Sequence, residues 1–304
     1  MDLLQLKYFQ VVARLENVTR AAEELHIAQP SLSKTIARLE DSVGVPLFER
    51  QGRRIRLNQF GEIFLRRVKR SFSELEQGQR ELADLAGLER GSVTVGATTS
   101  QLLPNLFREY LTHYPHVKFR LLQVRGRLEI PERLINGEID LCISSLPIEQ
   151  PIGQAEIHRE PLITEEIFLA VPANHRLAGR NSIQLSEIAN DPFISLTTED
   201  GIRTITNDFC QQAGFTPNIV FESSTPEVIR SLVKAGLGVA FLPAYWWGGD
   251  SMELPVQLHI ESPTCQRTIW LSWVKERYMS SATRNFREFM INHFSKVNVN
   301  KQST

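Results

Sequence analysis

The chain has 304 residues, 42% of them apolar and 23% charged, with a formal net charge of -1. That length exceeds one ordinary core, and that balance excludes collagen-like, disordered and membrane-embedded classes. Three cysteines, Cys142, Cys210 and Cys265, are odd in number and far apart, which excludes a disulfide framework and a cysteine metal cluster.

The opening MDLLQLKYFQVV carries no basic leader and no small-residue cleavage site, and no apolar run is long enough for a bilayer. The expected compartment is the cytoplasm, with no membrane partner. Charge is unevenly spread. Residues 50 to 70 hold eight Arg or Lys against one acid, Glu62, a local net of +7. Such a patch on a near-neutral chain predicts one polyanion-binding surface.

Leu3, Leu6, Phe9, Val12 and Ala13 recur at helical spacing and predict a first helix over 3–14. Thr19 is the expected N-cap of a second helix that turns Ala21, Ala22 and Leu25 inward. Residues 26–28 read as a turn, and Pro30 suits the first position of a third helix. Leu32, Ile36, Leu39 and Val43 then give that helix an inward face. Gln29, Pro30, Ser31, Ser33, Lys34 and Arg38 are left outside. A solvated face is the common fate of such residues. Yet Gln, Ser and a basic group at the N-terminal end of the second helix of a pair also suit a DNA major groove, with Gln on adenine and Lys on guanine or phosphate.

The next stretch, VPLFERQGRRIRLNQFG, favours DNA. Leu47 and Phe48 point inward, Gln51-Gly52 reads as a turn, and Ile55 and Leu57 alternate as in a strand. This predicts a two-stranded wing carrying Arg50, Arg53 and Arg54 to phosphates or the minor groove. Asn58 is a good N-cap for a long helix running to about Leu88. Phe64, Val68, Phe72, Leu75, Leu82 and Ala86 follow a near-heptad seam, interrupted by Gln79. A long helix with a narrow apolar seam packs on a partner helix or on its own domain.

These ninety residues resemble the DNA-binding domain of LysR-type transcriptional regulators. The resemblance rests on Phe9-x-x-Val-Ala, Thr19-x-Ala-Ala, Leu25-x-Ile-Ala-Gln-Pro-Ser-Leu-Ser, Ile36-Ala-x-Leu-Glu and Pro46-Leu-Phe-Glu-Arg. It implies that Gln29, Pro30, Ser33 and Lys34 lie on the recognition helix and Arg50 and Arg53 on the wing. Many members carry Arg where this chain has Lys34, and Lys lacks the planar fork that grips guanine. The resemblance also implies that the long helix pairs two chains, that the dimers assemble to a homotetramer, that the DNA site is an inverted repeat, and that RNA polymerase is a partner.

From Gly91 onward, strand and helix patterns alternate. Strands are expected near 92–97, 117–124, 139–146, 166–172, 193–197, 219–223, 238–243 and 267–274. Helices are expected after residue 101 and over 130–138, 202–213, 226–236 and 280–294. The alternation predicts parallel βαβ units in two similar halves. The LysR resemblance continues more weakly through Leu102-Leu103-Pro104, Gly137-Glu-Ile-Asp140-Leu, Val171-Pro and Val233-x-Ala-Gly-Leu-Gly-Val-x-x-Leu-Pro243. It implies an α/β effector domain of two Rossmann-like lobes, similar to type 2 periplasmic-binding proteins. The implied division is a winged helix-turn-helix domain (1–58), a linker helix (59–90) and an effector domain (91–304). Lobe I is then 91–163 with 267–304, and lobe II 164–266.

In open α/β folds a ligand sits beyond the C-terminal ends of the strands. Thr98, Thr99 and Ser100 follow the first strand at a helix start, where hydroxyls and free N–H groups suit an anion. Ser195, Thr197, Thr198 and Arg203 hold the corresponding place in the other half. Arg125, Ser144 and Ser145 are secondary candidates. Each Ser or Thr could equally cap a helix; their recurrence in both halves points to a small anionic effector. No cofactor or metal is expected, and the chain lacks G-x-S-x-G, H-E-x-x-H and a P-loop lysine, so no enzymatic activity is expected. A solute-binding receptor without DNA binding is the alternative outside this class. Within it, the alternative is a thiol-based redox sensor, although Cys142 and Cys210 read more simply as core thiols.

Overall fold

The computed structural model describes residues 1–51, 54–86, 91–98, 101–124, 129–146, 148, 156–198, 201–247 and 255–302. Residues 50, 51, 54 and 298–302 are described as backbone only. The chain divides into two compact units, Met1–Ala86 and Gly87–Thr304.

In the first unit, α1 (Leu3–Leu15), α2 (Val18–Glu24) and α3 (Gln29–Val43) pack around Phe9, Val12, Leu32 and Leu39, all fully buried. Asp2 and Gln5 cap α1 reciprocally. Asn17, not Thr19, caps α2: its Oδ1 accepts the Arg20 N–H, and the helix has already begun at Val18. Asn outranks Thr as an N-cap and stands at the residue where the backbone is still extended. Pro30 occupies the second position of α3, after Gln29. Strands β1 (Phe48–Gln51) and β2 (Arg54–Leu57) pair antiparallel, Phe48 opposite Leu57 and Gln51 opposite Arg54.

Helix α4 (Gln59–Leu85) starts at the expected cap, with Asn58 Oδ1 accepting the Gly61 N–H at 2.9 Å. The expected seam divides along it. Val68 is buried in the first unit's own core, and Phe64 and Phe72 pack against that core. Within the chain this end of the seam packs on its own domain, because α1 lies against it. Leu75 and Leu82 are 50% and 68% exposed, and Leu85 beyond them is exposed too.

The second unit is built on one long strand. β6 (Ile157–Val171) pairs along residues 157–166 with β12 (Gln266–Val274), and its far end lies between β10 (Ala240–Pro243) and β11 (Val256–Ser262). The two strands therefore cross between lobes. In lobe I, β3 (Ser92–Ala97) runs parallel to β4 (Lys118–Gln123) and β5 (Leu141–Ser144), and β5 borders β12. Helices α5 (Leu103–His113), α6 (Glu129–Asn136) and α9 (Ser281–Gln302) complete lobe I. In lobe II, β8 (Pro192–Leu196) runs parallel to β9 (Asn218–Ser223), with a single bridge linking β8 to Val239 just before β10. Helices α7 (Gly201–Gln212) and α8 (Pro226–Lys234) flank them, and β7 (Ser182–Gln184) closes the edge beside β11. Alternation along β5 sends Leu141 and Ile143 to one core and Cys142 to another on the opposite face.

Candidate DNA-contacting face and lobe cleft

The geometry of α3 follows from its sequence. Leu32, Ile36 and Leu39 fix one side in the core, so the other side must face out. Gln29, Pro30, Ser31, Lys34 and Arg38 are exposed, and Ser33 is half-buried. Gln29 Nε2 donates to Ser33 Oγ at 3.0 Å, one turn along. This holds the carboxamide over the first turn instead of leaving it to sweep freely. No side chain caps α3 at its start, Ala28; Pro30 brings no N–H to this turn, and the Ser31 N–H donates to the Ala28 carbonyl at 2.9 Å.

The wing sits where α3 places it. Glu40 Oε1 accepts the N–H groups of Leu47 (2.7 Å) and Phe48 (3.1 Å), and Asn58 Nδ2 donates to the Pro46 carbonyl at 2.8 Å. The pairing puts Arg50 opposite Ile55 and Arg54 opposite Gln51. Arg50 and Arg54 are described as backbone only, and Arg53 lies outside the described residues. In the sequence Glu40 stands only as the last residue of Ile36-Ala-x-Leu-Glu, with no site role. Its signal was an acid that the helical repeat turns toward the start of a basic wing.

In the second unit the candidate cleft residues divide. Thr99, Ser100 and Arg125 lie outside the described residues. Thr98 Oγ1 accepts the Ser145 N–H at 3.2 Å. Ser144 and Ser145 are corrected to interior roles: both are buried, Ser144 donating to the Leu146 carbonyl and Ser145 accepting from Arg267 Nη1. Arg203 is corrected likewise. Its Nη1 donates to the Leu196 carbonyl at 3.0 Å and lies 3.2 Å from Glu222 Oε1, with the side chain only 11% exposed. Its charge serves to tie β8 to β9. Ser195 and Thr197 are half-buried, the Thr197 N–H donates to Ser223, and Thr198 is exposed.

The lobes approach closely where Gly201 opens α7: a Cβ there would sit 3.0 Å from the Leu146 side chain of lobe I. Open space lies elsewhere. A cavity of about 450 Å³ is lined by Gln101 and Asn105 of lobe I and by Pro226, Glu227, Arg230, Tyr245 and Trp246 of lobe II. None of the described effector candidates lines it. Its size is within the range of small-molecule pockets. These residues carry no sequence signal for the site because they stand one turn or one loop beyond the strand ends.

The cysteines are buried. Burial pushes the thiols of Cys210 and Cys265 up to about 12 and that of Cys142 far above its ordinary value. Such thiols form little thiolate and react slowly. Among the described residues, no cluster of His, Cys, Asp and Glu could hold a metal, and no helix is long and apolar enough to cross a membrane.

Comparison with known proteins fits both units. Residues 3–62 match the family model for bacterial regulatory helix-turn-helix proteins of the lysR family, and residues 86–295 match that for the LysR substrate binding domain. The chain is 39% identical over 300 residues to an uncharacterized HTH-type transcriptional regulator, YybE of Bacillus subtilis strain 168, covering 97% of this chain and 100% of the relative. It is 36% identical to the transcriptional dual regulator GltC of the same organism, covering 98% and 99%. A full-length OxyR variant from Pseudomonas aeruginosa aligns over 97% of this chain and 94% of its own, at 29% identity and a TM-score of 0.69. CbnR, solved with its target DNA, shares the fold at 23% identity, with a TM-score of 0.74 over 95% and 99% of the two chains. With both of its units matched and close relatives along its whole length, the chain belongs to the LysR family of transcriptional regulators.

Proposed function

We propose that the chain binds an inverted-repeat duplex through paired α3 helices and wings, and that a small effector in the lobe cleft alters this binding. The observation that carries the first half is the exposed polar face of α3, with Gln29 held by Ser33 and the wing fixed alongside by Glu40. In this reading Gln29 and Lys34 meet base edges. Pro30, Ser31, Ser33, Arg38, Arg50, Arg53 and Arg54 supply backbone contact and orientation. The functional division proposed is 1–58 for DNA, 59–90 for dimerisation and 91–304 for the effector, with RNA polymerase as the downstream partner. Exposed apolar groups on the second unit, Leu121 on β4, Val220 and Phe221 on β9 and Val228 on α8, support further pairing of dimers into a homotetramer.

Two substitutions test the DNA half. Arg53→Ala is expected to weaken binding to every duplex and to reduce the salt slope by about one unit. Gln29→Ala is expected to relax preference at one base position while leaving that slope in place. An unchanged sequence preference in Gln29→Ala would remove Gln29 from base readout.

For the effector, Arg230 replaces Arg203 as the cation of the site. It lines the cavity and donates to the Trp246 carbonyl at 2.8 Å. The two carboxamides, Gln101 and Asn105, face it from the other lobe. A small metabolite with an anionic group for Arg230 and hydrogen-bonding groups for the carboxamides and Glu227 suits this set. Ligand binding to the folded state raises stability by about 2.7 kcal/mol at a hundredfold excess over Kd. A thermal-shift screen of metabolites should yield an anion that stabilises the wild type and fails to stabilise Arg230→Gln. A hit that is a neutral hydrophobe, or one equally effective on the variant, would contradict this assignment.

A further inference from the structure

Glu165 and Arg267 are a cross-strand pair of β6 and β12, at the place where both strands pass between lobes. Their side chains are 0% exposed. Arg267 Nε and Nη2 lie 2.7 and 2.6 Å from Glu165 Oε1. Further bonds reach into different lobes. Glu165 Oε2 accepts the Tyr245 N–H at 2.9 Å in lobe II, and Arg267 Nη1 donates to Ser145 Oγ at 3.0 Å in lobe I. The guanidinium also lies 5.7 Å from the Trp246 ring. Tyr245 and Trp246 line the cavity, and the Ser145 N–H reaches Thr98.

A buried ion pair contributes little net stability compared with apolar packing of the same volume, because both charges must leave water. Its effect is geometric: the two charges can be satisfied only in one arrangement of their neighbours. Here those neighbours are one loop from each lobe. We propose that Glu165 and Arg267 are positioning residues that form the pivot of lobe movement, holding the Tyr245–Trp246 cavity wall at a fixed setting against Ser145 of lobe I. The regulatory meaning of this pivot rests on the lobe-cleft effector reading; its mechanical effect does not.

The test is carried out on the full chain with no ligand added. Thr112→Cys and Gln212→Cys, exposed on α5 and α7, take spin labels, and the native cysteines are buried. Labelled chains are assembled with excess unlabelled chain so that each reports only its own lobe separation by pulsed electron–electron resonance. Glu165→Gln keeps the size and removes the charge. Ser145→Ala keeps the pair and removes the lobe I anchor. Both are expected to shift or spread the distance distribution by more than about 2 Å, the scale of hinge rearrangements. A lowered melting temperature with an unchanged distribution in both variants would overturn the proposal, leaving the pair a purely structural element. If Glu165→Gln does not fold, an unchanged distribution in Ser145→Ala overturns it alone. Because no effector is present, failure of the cavity assignment leaves this result unaffected.

Discussion

Leu75→Asp and Leu82→Asp together are expected to abolish pairing through α4 and most of the affinity for an inverted-repeat site, while the first unit stays folded. Both leucines are exposed within the chain and neither belongs to the first unit's core, so their replacement leaves that core intact. In a paired linker they would be buried, and an unpaired carboxylate there costs several kcal/mol. Loss of the second half-site contact should bring specific binding down toward the non-specific level, by about 10³-fold or more. The full chain should then sediment as pairs joined through the second unit, not as tetramers. Val68→Asp makes the contrast: with Val68 buried in the core, it should unfold the first unit instead. A Leu75→Asp/Leu82→Asp chain that sediments like the wild type and keeps its DNA affinity would refute the α4 interface.

Gly61→Ala is expected to be the most damaging single methyl in the first unit. A Cβ at Gly61 would stand 2.1 Å from the Leu47 carbonyl oxygen and 2.5 Å from Leu57 Cδ2. The first contact is backbone, which cannot swing aside as a side chain can. α4 must therefore move away from the wing, and the bonds from Asn58 to Gly61 and Pro46 loosen together. Overpacking of this kind typically costs about 1–3 kcal/mol. DNA affinity should fall with it, since the wing loses its fixed setting beside α3. Gly78→Ala is the control on the same helix. Nothing lies within 4 Å of its added Cβ, and helix propensity alone should make it stabilising by up to about 1 kcal/mol. Urea unfolding of the full chain, followed by far-UV dichroism, separates the two signs; a Gly61→Ala midpoint equal to that of the wild type would contradict the close-approach argument.

The helix-turn-helix and wing were legible because one face of each short element is buried and the other is not. Leu32, Ile36 and Leu39 identify the inward side of α3, and the polar set left over is the exposed set. Most βα elements of the second unit were legible for the same reason. β6 was read short: His158-Arg159-Glu160-Pro161 looks like a loop, yet it pairs with β12 at a register shift near Pro161, where a strand tolerates the missing N–H. β7 and β11 were missed, being an edge strand of three residues and a short strand with the polar outer face Gln257, His259 and Glu261. The seam of α4 could not be divided from sequence, because periodicity shows that a face is apolar without saying whose core it joins. Least legible was the site itself. Arg203 and the buried serines had the right chemistry in the right segments, but their partners, Leu196, Glu222 and Arg267, are set only by the fold. Glu165 and Arg267 are 102 positions apart and carry no local signal.

The central claim, that paired α3 helices read an inverted repeat, is tested most directly by selecting bound duplexes from a random pool with the full chain at a fixed salt concentration. The predicted result is one enriched inverted repeat whose half-sites lie on one face of the duplex, about one helical turn or a multiple of it apart. The same selection with Gln29→Ala should lose preference at one symmetric pair of positions. Enrichment of no sequence, or of one lone half-site that Gln29→Ala and Lys34→Ala bind with unchanged preference, would contradict it.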